Sequence, residues 1–197
     1  MISREDIEAM SDQESNDPRG IRESAMKWAT LLHMGQTRSN GDPYVTHPIR
    51  VAEILDAKHL EIHGTPIEND VYAAAVLHDT IEDTEATYDL ISKYFNSRIA
   101  SLVLGCTNDD AVLAVLGKTA YLSQKMLMMS PAELRVKLSD RLDNVQDLAT
   151  AKTPKWRMKY KQQTEDIMNS IEAHRFLDTV CVSLIKDIRA KIVEVKS

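Results

Sequence analysis

The chain has 197 residues, 43% of them hydrophobic and 27% charged, and a formal net charge of −6. That length suits one domain able to bury a core without staples, and the acidic balance argues against a nucleic-acid partner. It does not exclude a small anionic ligand, because a few Arg and Lys side chains or a metal ion can reverse the field inside one pocket.

In chain order, the opening "MISREDIEAM" carries charges where a signal peptide has an apolar run. "PRGIRESAMKWATLLHMG" has apolar residues at Ile21, Ala25, Trp28, Ala29, Leu31 and Leu32, which predicts a helix from near Pro18. "QTRSNGDPYVT" is a loop by its Asn-Gly and Asp-Pro steps. "HPIRVAEILDAKHL" is helical, with Pro48 in its first turn. "DVYAAAVLHDTIED" is a helix with Asp70 as its N-cap. "EATYDLISKYF" and "SRIASLVLGC" are two short helices divided near Asn96. Residues 110–129, 131–150, 154–172 and 175–195 each carry helical periodicity. No alternating strand pattern lasts beyond about four residues. The expected fold is all-α, with nine or ten helices. Cys106 and Cys181 show no CxxC spacing and are expected as reduced thiols. No apolar segment is expected to approach the ~18 residues that span a bilayer, so a soluble, cytoplasmic protein without a membrane partner is expected.

The stretch "AAAVLHDTIEDTEAT" runs from an apolar helix into His78, Asp79, Glu82, Asp83 and Glu85. Imidazole and carboxylate are the natural ligands of Mn, Fe, Co or Zn. Adjacent His and Asp do not share a helix face, but both reach a metal lying over the helix edge between them. Asp140 weighs more. It lies among Leu134, Val136, Leu138, Leu142 and Val145, and a buried carboxylate without a partner is costly. Glu82 and Asp83 follow His78 and Asp79 by four residues, one helical turn on. That is where a water-activating group would stand if a metal sat beside His78 and Asp79.

The residues "HP" at 47–48, "HD" at 78–79 and the Asp of "KLSDRLDN" follow the His…His-Asp…Asp order of the HD phosphohydrolases. The stretches "HMGQTRSNGDPYVTHPIRVAEIL", "AAVLHDTIEDTEAT", "KMLMMSPAELRVKLSDRLDNVQDL" and "WRMKYKQQTEDI" narrow this. The chain resembles the hydrolase domain of the RelA/SpoT-type alarmone enzymes, in particular the small stand-alone members. The resemblance implies an HD-domain helical bundle, taken as residues 1–166, while the amphipathic pattern of 167–197 reads as a helical extension that caps the core or offers a dimer surface. It implies one bound Mn²⁺ and removal of the 3′-pyrophosphate from (p)ppGpp. It implies His47, His78, Asp79 and Asp140 as metal ligands, and Glu82 and Asp83 as the pair that positions and activates water. Substrate contacts are implied at Arg38, Asn144 and Tyr160, with Lys118 or Lys125 near the phosphates. His33 precedes Gly-Gln as in the family and is expected at most behind the ligands.

Two departures bear on the substrate. Ser39 stands where the family has Lys after the loop arginine, and Gln146 where it has Arg two residues after the Asn. A less charged substrate, such as the 2′-phosphate of NADPH or a nucleoside monophosphate, is the alternative. A non-catalytic alarmone sensor is a third reading, against which the water-activating pair argues.

Overall fold

The structure, a computed structural model, describes residues 20–149 and 153–194. Among them are eleven α-helices and one 3-10 turn, with a single isolated antiparallel bridge between Thr37 and Pro43. The all-α expectation holds. The helix number exceeds it because two expected helices each break in two.

The chain divides into two compact units, one ending at Thr107 and one beginning at Asn108. The first holds α1 (Ile21–Leu32), α2 (Thr46–His63), α3 (Asn69–Leu77), α4 (Thr80–Asp83), α5 (Tyr88–Tyr94) and α6 (Ser97–Cys106). Its centre is α3, on which α1, α2 and α6 all pack. Every residue from Val71 to Leu77 is buried, and each large aliphatic side chain so buried contributes about 1.5–3 kcal/mol. Helix α1 turns Ala25, Trp28 and Ala29 inward, the i, i+3, i+4 stripe. Trp28 lies 5.0 Å from the Tyr94 ring and 5.4 Å, edge-on, from Phe95. Helix α2 buries His47, Pro48, Val51, Ala52 and Leu55 and stops at Gly64, whose φ of 72° is the left-handed cap only glycine takes without strain.

Arg22 ties α1 to the start of α3. Its guanidinium donates to Asn69 Oδ1 at 2.8 Å, to the Ile67 carbonyl at 2.6 Å and to Asp56 at 3.1 Å. The N-cap of α3 is Glu68, not Asp70. Asp70 sits inside the first turn, where it accepts from Asn96 and pairs with Arg98 at 3.7 Å. An acid there is favoured by the helix dipole without capping geometry.

The second unit holds α7 (Asp110–Leu116), α8 (Lys118–Met128), α9 (Pro131–Gln146), a 3-10 turn over Asp147–Ala149, α10 (Pro154–His174) and α11 (Thr179–Glu194). Helix α9 packs on α11, and α10 on α8. The segment expected as one helix over 110–129 breaks at Gly117, with φ 75° and ψ 151°, a conformation closed to L side chains. Helix α9 starts in a reciprocal capping box between Ser130 and Glu133, with Pro131 at its first position. Neither cysteine is in a disulfide, and both are buried. Burial and the neighbouring Asp178 push the Cys181 thiol up to about 12, so it stays protonated.

One run, Ser97–Leu116, is long and apolar enough by length and composition to cross a membrane, which corrects the expectation that none would be. The backbone turns extended at Thr107 and Asp109 and divides the run into helices of 10 and 7 residues.

Candidate metal and catalytic site

His78 and Asp79 do not continue the helix that precedes them. Helix α3 ends at Leu77, and the two residues form a turn before α4 begins at Thr80. The turn keeps one helical bond, from the Asp83 amide to the Asp79 carbonyl at 2.9 Å. Thr80, fully buried, caps the break by donating its hydroxyl to the Leu77 carbonyl at 2.7 Å.

His47, in the first turn of α2, comes to this turn from the other side. The His47 and His78 rings lie 5.4 Å apart, edge to face. Asp79 stands between them, with Oδ1 3.1 Å from His78 Nε2 and Oδ2 3.6 Å from His47 Nε2. His78 is wholly buried, and His47 and Asp79 nearly so.

This donor set fits a divalent cation. His78 Nδ1 lies 2.8 Å from the Ala75 carbonyl, which only accepts, so Nδ1 carries the ring proton. In a neutral ring Nε2 then presents a lone pair toward the Asp79 carboxylate. A lone pair and an anionic oxygen 3.1 Å apart repel unless a cation or a proton lies between them. Bonding of the far ring nitrogen to a backbone carbonyl is the usual way a metal-binding histidine is oriented.

The loop that carries Arg38 holds the arrangement through Gln36 and Tyr44, which the sequence motifs contain but do not single out. The Tyr44 hydroxyl donates to Asp79 Oδ2 at 2.7 Å. Burial, and then the charge of Asp79, hold this phenol far above its ordinary pKa, so it stays a donor. The His33 ring lies 4.9 Å from the Tyr44 ring, and its Nδ1 is 2.8 Å from Gln36 Oε1. Gln36 donates through Nε2 to the Asp83 carbonyl at 2.9 Å. Only a local Gly-Gln and Pro-Tyr pattern marks these residues, and no periodicity does.

Glu82 and Asp83 lie on α4 with exposed side chains. Partial desolvation, and then the charge of Asp79, raise the Asp83 carboxyl above the ordinary range. Arg38 sits in the loop between Gln36 and Tyr44, where its amide donates to the Asp42 carbonyl at 2.8 Å. Burial lowers the His33 pKa below its ordinary value of 6.5. The unfolded chain therefore binds more protons than the folded one between the lowered value and 6.5. Stability should fall as pH drops through that window. Denaturant midpoints of the metal-free protein at pH 7 and pH 5 would show it, with a smaller drop in His33→Gln.

In the second unit, Asp140 lies on α9 with Lys137 Nζ 3.1 Å from Oδ2 and Asn144 Nδ2 2.5 Å from Oδ1. The carboxylate is thus met by a cation and an amide one turn to either side. Tyr160 stacks on Trp156 at 5.1 Å, and the Arg141 guanidinium lies 4.9 Å from the Tyr160 ring. Lys118 and Tyr160 line one cleft of about 220 Å³ with Thr119, Trp156, Lys159 and Gln163. Lys125 instead lies 5.9 Å over the Tyr121 ring.

An all-helical fold with a buried His-His-Asp cluster at a helix break defines a class, helical domains with a candidate metal centre. Residues 25–176 match the HD domain family, and the chain belongs to it. Among curated proteins it is 36% identical over 160 residues to a guanosine-3′,5′-bis(diphosphate) 3′-pyrophosphohydrolase of Aquifex aeolicus (strain VF5), covering 77% of this chain and 21% of that one. It is 37% identical over 148 residues to the bifunctional (p)ppGpp synthase/hydrolase SpoT of Escherichia coli (strain K12), covering 73% and 20%. The chain therefore spans about one fifth of the length of these relatives. Among solved structures it resembles a metazoan orthologue of SpoT described as hydrolysing ppGpp, with a TM-score of 0.72, 23% identity and coverage of 90% and 98%. A protein of Listeria monocytogenes EGD-e gives 0.60, 22%, and 76% and 97%. At these identities the structural likeness shows the shared fold.

Proposed function

We propose that this protein hydrolyses the 3′-pyrophosphate of (p)ppGpp, giving GDP or GTP and pyrophosphate, with Mn²⁺ as its metal. The observation that carries the reading is the buried His47–His78–Asp79 cluster, in which two ring nitrogens face the two oxygens of one carboxylate. The names of the curated relatives support the substrate. The ligand set of this proposal is His47, His78, Asp79 and Asp140. The hydrolase domain is residues 1–166, with 167–197 as an extension.

When bound, the metal supplies positive charge for the developing phosphate oxygens and a lowered pKa for attacking water. The chain's own residues do the rest. His47 and His78 give neutral nitrogens, and the Ala75 carbonyl keeps His78 in the tautomer this requires. Glu82 and Asp83 orient a water and accept its proton, and the raised pKa of Asp83 makes it a better base than an ordinary carboxylate. Arg38, with its planar fork, takes a phosphate or the guanine edge. Asn144 orients Asp140 and faces the ribose and phosphates. Lys118 and Tyr160 bind the outer part of the nucleotide.

Purified protein with Mn²⁺ and ppGpp is expected to release pyrophosphate and GDP in equal amounts on ion-exchange chromatography. Absence of both products would overturn the reading. A second reading, a nucleotide phosphatase acting on NADPH or a nucleoside monophosphate, is favoured by Ser39 and Gln146, which remove two positive charges expected near the phosphates. The same assay with NADPH and nucleoside monophosphates separates the two.

A further inference from the structure

Tyr44 touches the candidate metal centre without being a candidate ligand. Its hydroxyl donates to Oδ2 of Asp79, the oxygen that also faces His47, while Oδ1 faces His78. Among these neighbours the tyrosine is a fixed donor, whereas His78 presents a lone pair because the Ala75 carbonyl holds its ring proton. The hydroxyl therefore sets the rotation of the carboxylate about its Cβ–Cγ bond. The ring is itself held, 4.9 Å from His33 and 5.9 Å from an edge-on His47.

The loop behind it is pinned at both ends. The Tyr44 amide donates to the Gln36 carbonyl at 2.9 Å, and Thr37 bridges Pro43. The Gln36 side chain reaches the other way, to the Asp83 carbonyl. That bond needs the amide nitrogen turned toward Asp83. The His33 Nδ1 proton, 2.8 Å from Gln36 Oε1, holds the amide in that orientation. One loop thus carries Arg38 at its tip and grips Asp79 and Asp83 from its two ends.

We propose that Tyr44 is a positioning residue that fixes Asp79 for metal binding, and that Gln36, oriented by His33, fixes the main chain of Asp83. Only the turnover readout below rests on the hydrolase reading. A charge-assisted bond to a ligand carboxylate is strong, and removal of such an outer partner typically costs 10–100-fold in metal affinity.

The test compares the wild type, Y44F and Gln36→Leu. Mn²⁺ binding is read by electron paramagnetic resonance and calorimetry, with melting of each metal-free protein alongside. Y44F keeps the ring contacts and is expected to melt only a few degrees below the wild type, for the one bond lost, but to bind Mn²⁺ about 10–100-fold more weakly. Gln36→Leu is expected to keep Mn²⁺ affinity within about twofold and the KM for ppGpp unchanged, while kcat falls about tenfold through displacement of Asp83. Mn²⁺ affinity in Y44F within about twofold of the wild type would overturn the proposal. So would a metal-free Y44F that melts well below the wild type, since Tyr44 would then be a structural residue. A wild type that binds no Mn²⁺ overturns it as well. A wild type that binds Mn²⁺ but releases no pyrophosphate defeats the hydrolase reading instead, and the Y44F comparison still decides the role of Tyr44.

Discussion

Replacing Glu82 and Asp83 together by alanine is expected to cut pyrophosphate release from ppGpp by about 10²–10⁴-fold while Mn²⁺ stays bound. Both side chains are exposed on a four-residue helix, so their loss opens no cavity. The bond from Gln36 goes to the Asp83 carbonyl and survives truncation of the side chain. What disappears is the pair of carboxylates beyond the His-Asp turn, one of them with its pKa raised toward the working range of a base. Metal analysis and turnover on the same sample decide the matter. Full turnover, or metal lost with it, would sink the assignment of these two residues.

Asp140→Ala should abolish metal binding and also weaken the fold. The Lys137 side chain, 9% exposed, has the Asp140 carboxylate 3.1 Å away. Truncation leaves that ammonium buried without it. Breaking a buried pair from one side costs about 3–5 kcal/mol, and the partial exposure of this one places it near 3. The companion variant Lys137→Met with Asp140→Leu removes both charges and should recover most of the stability but none of the metal. Denaturant unfolding of the metal-free proteins reads the first effect, and bound-metal stoichiometry the second. Asp140→Ala that keeps a full complement of metal would remove Asp140 from the ligand set.

The sequence carried much of the site and less of its support. The order His47, His78-Asp79 is legible because imidazole and carboxylate suit a metal and because their order resembles that of the HD phosphohydrolases. The break at residue 78 is not legible, since Ala73–Leu77 and Ile81 fit one continuous apolar stripe, and only the backbone shows that the stripe is interrupted. Asp70 looked like a cap because Asp is a good cap residue. Side-chain pairing with Asn96 and Arg98, far along the chain, claimed it instead. Gln36 and Tyr44 escaped because a loop has no period, and a residue there gains meaning only from what it reaches across space. The split at Gly117 was open to reading, since a glycine between two helical runs is a common stop.

The Arg22 clamp has a bearing on how this fold tolerates change in length. Between His47 and His78 the chain passes through Gly64, where α2 ends. Beyond it, Ile67 and Asn69 are fastened to Arg22. Residues added between Gly64 and Ile67 would bulge into solvent, and the register of α3 would stay where Arg22 sets it. The two-residue turn at His78–Asp79 has no such slack, because one extra residue before Glu82 would rotate the acids by about 100° about the helix axis. Insertions are therefore absorbed before α3, whereas after it they turn Glu82 and Asp83 away from the His78–Asp79 turn.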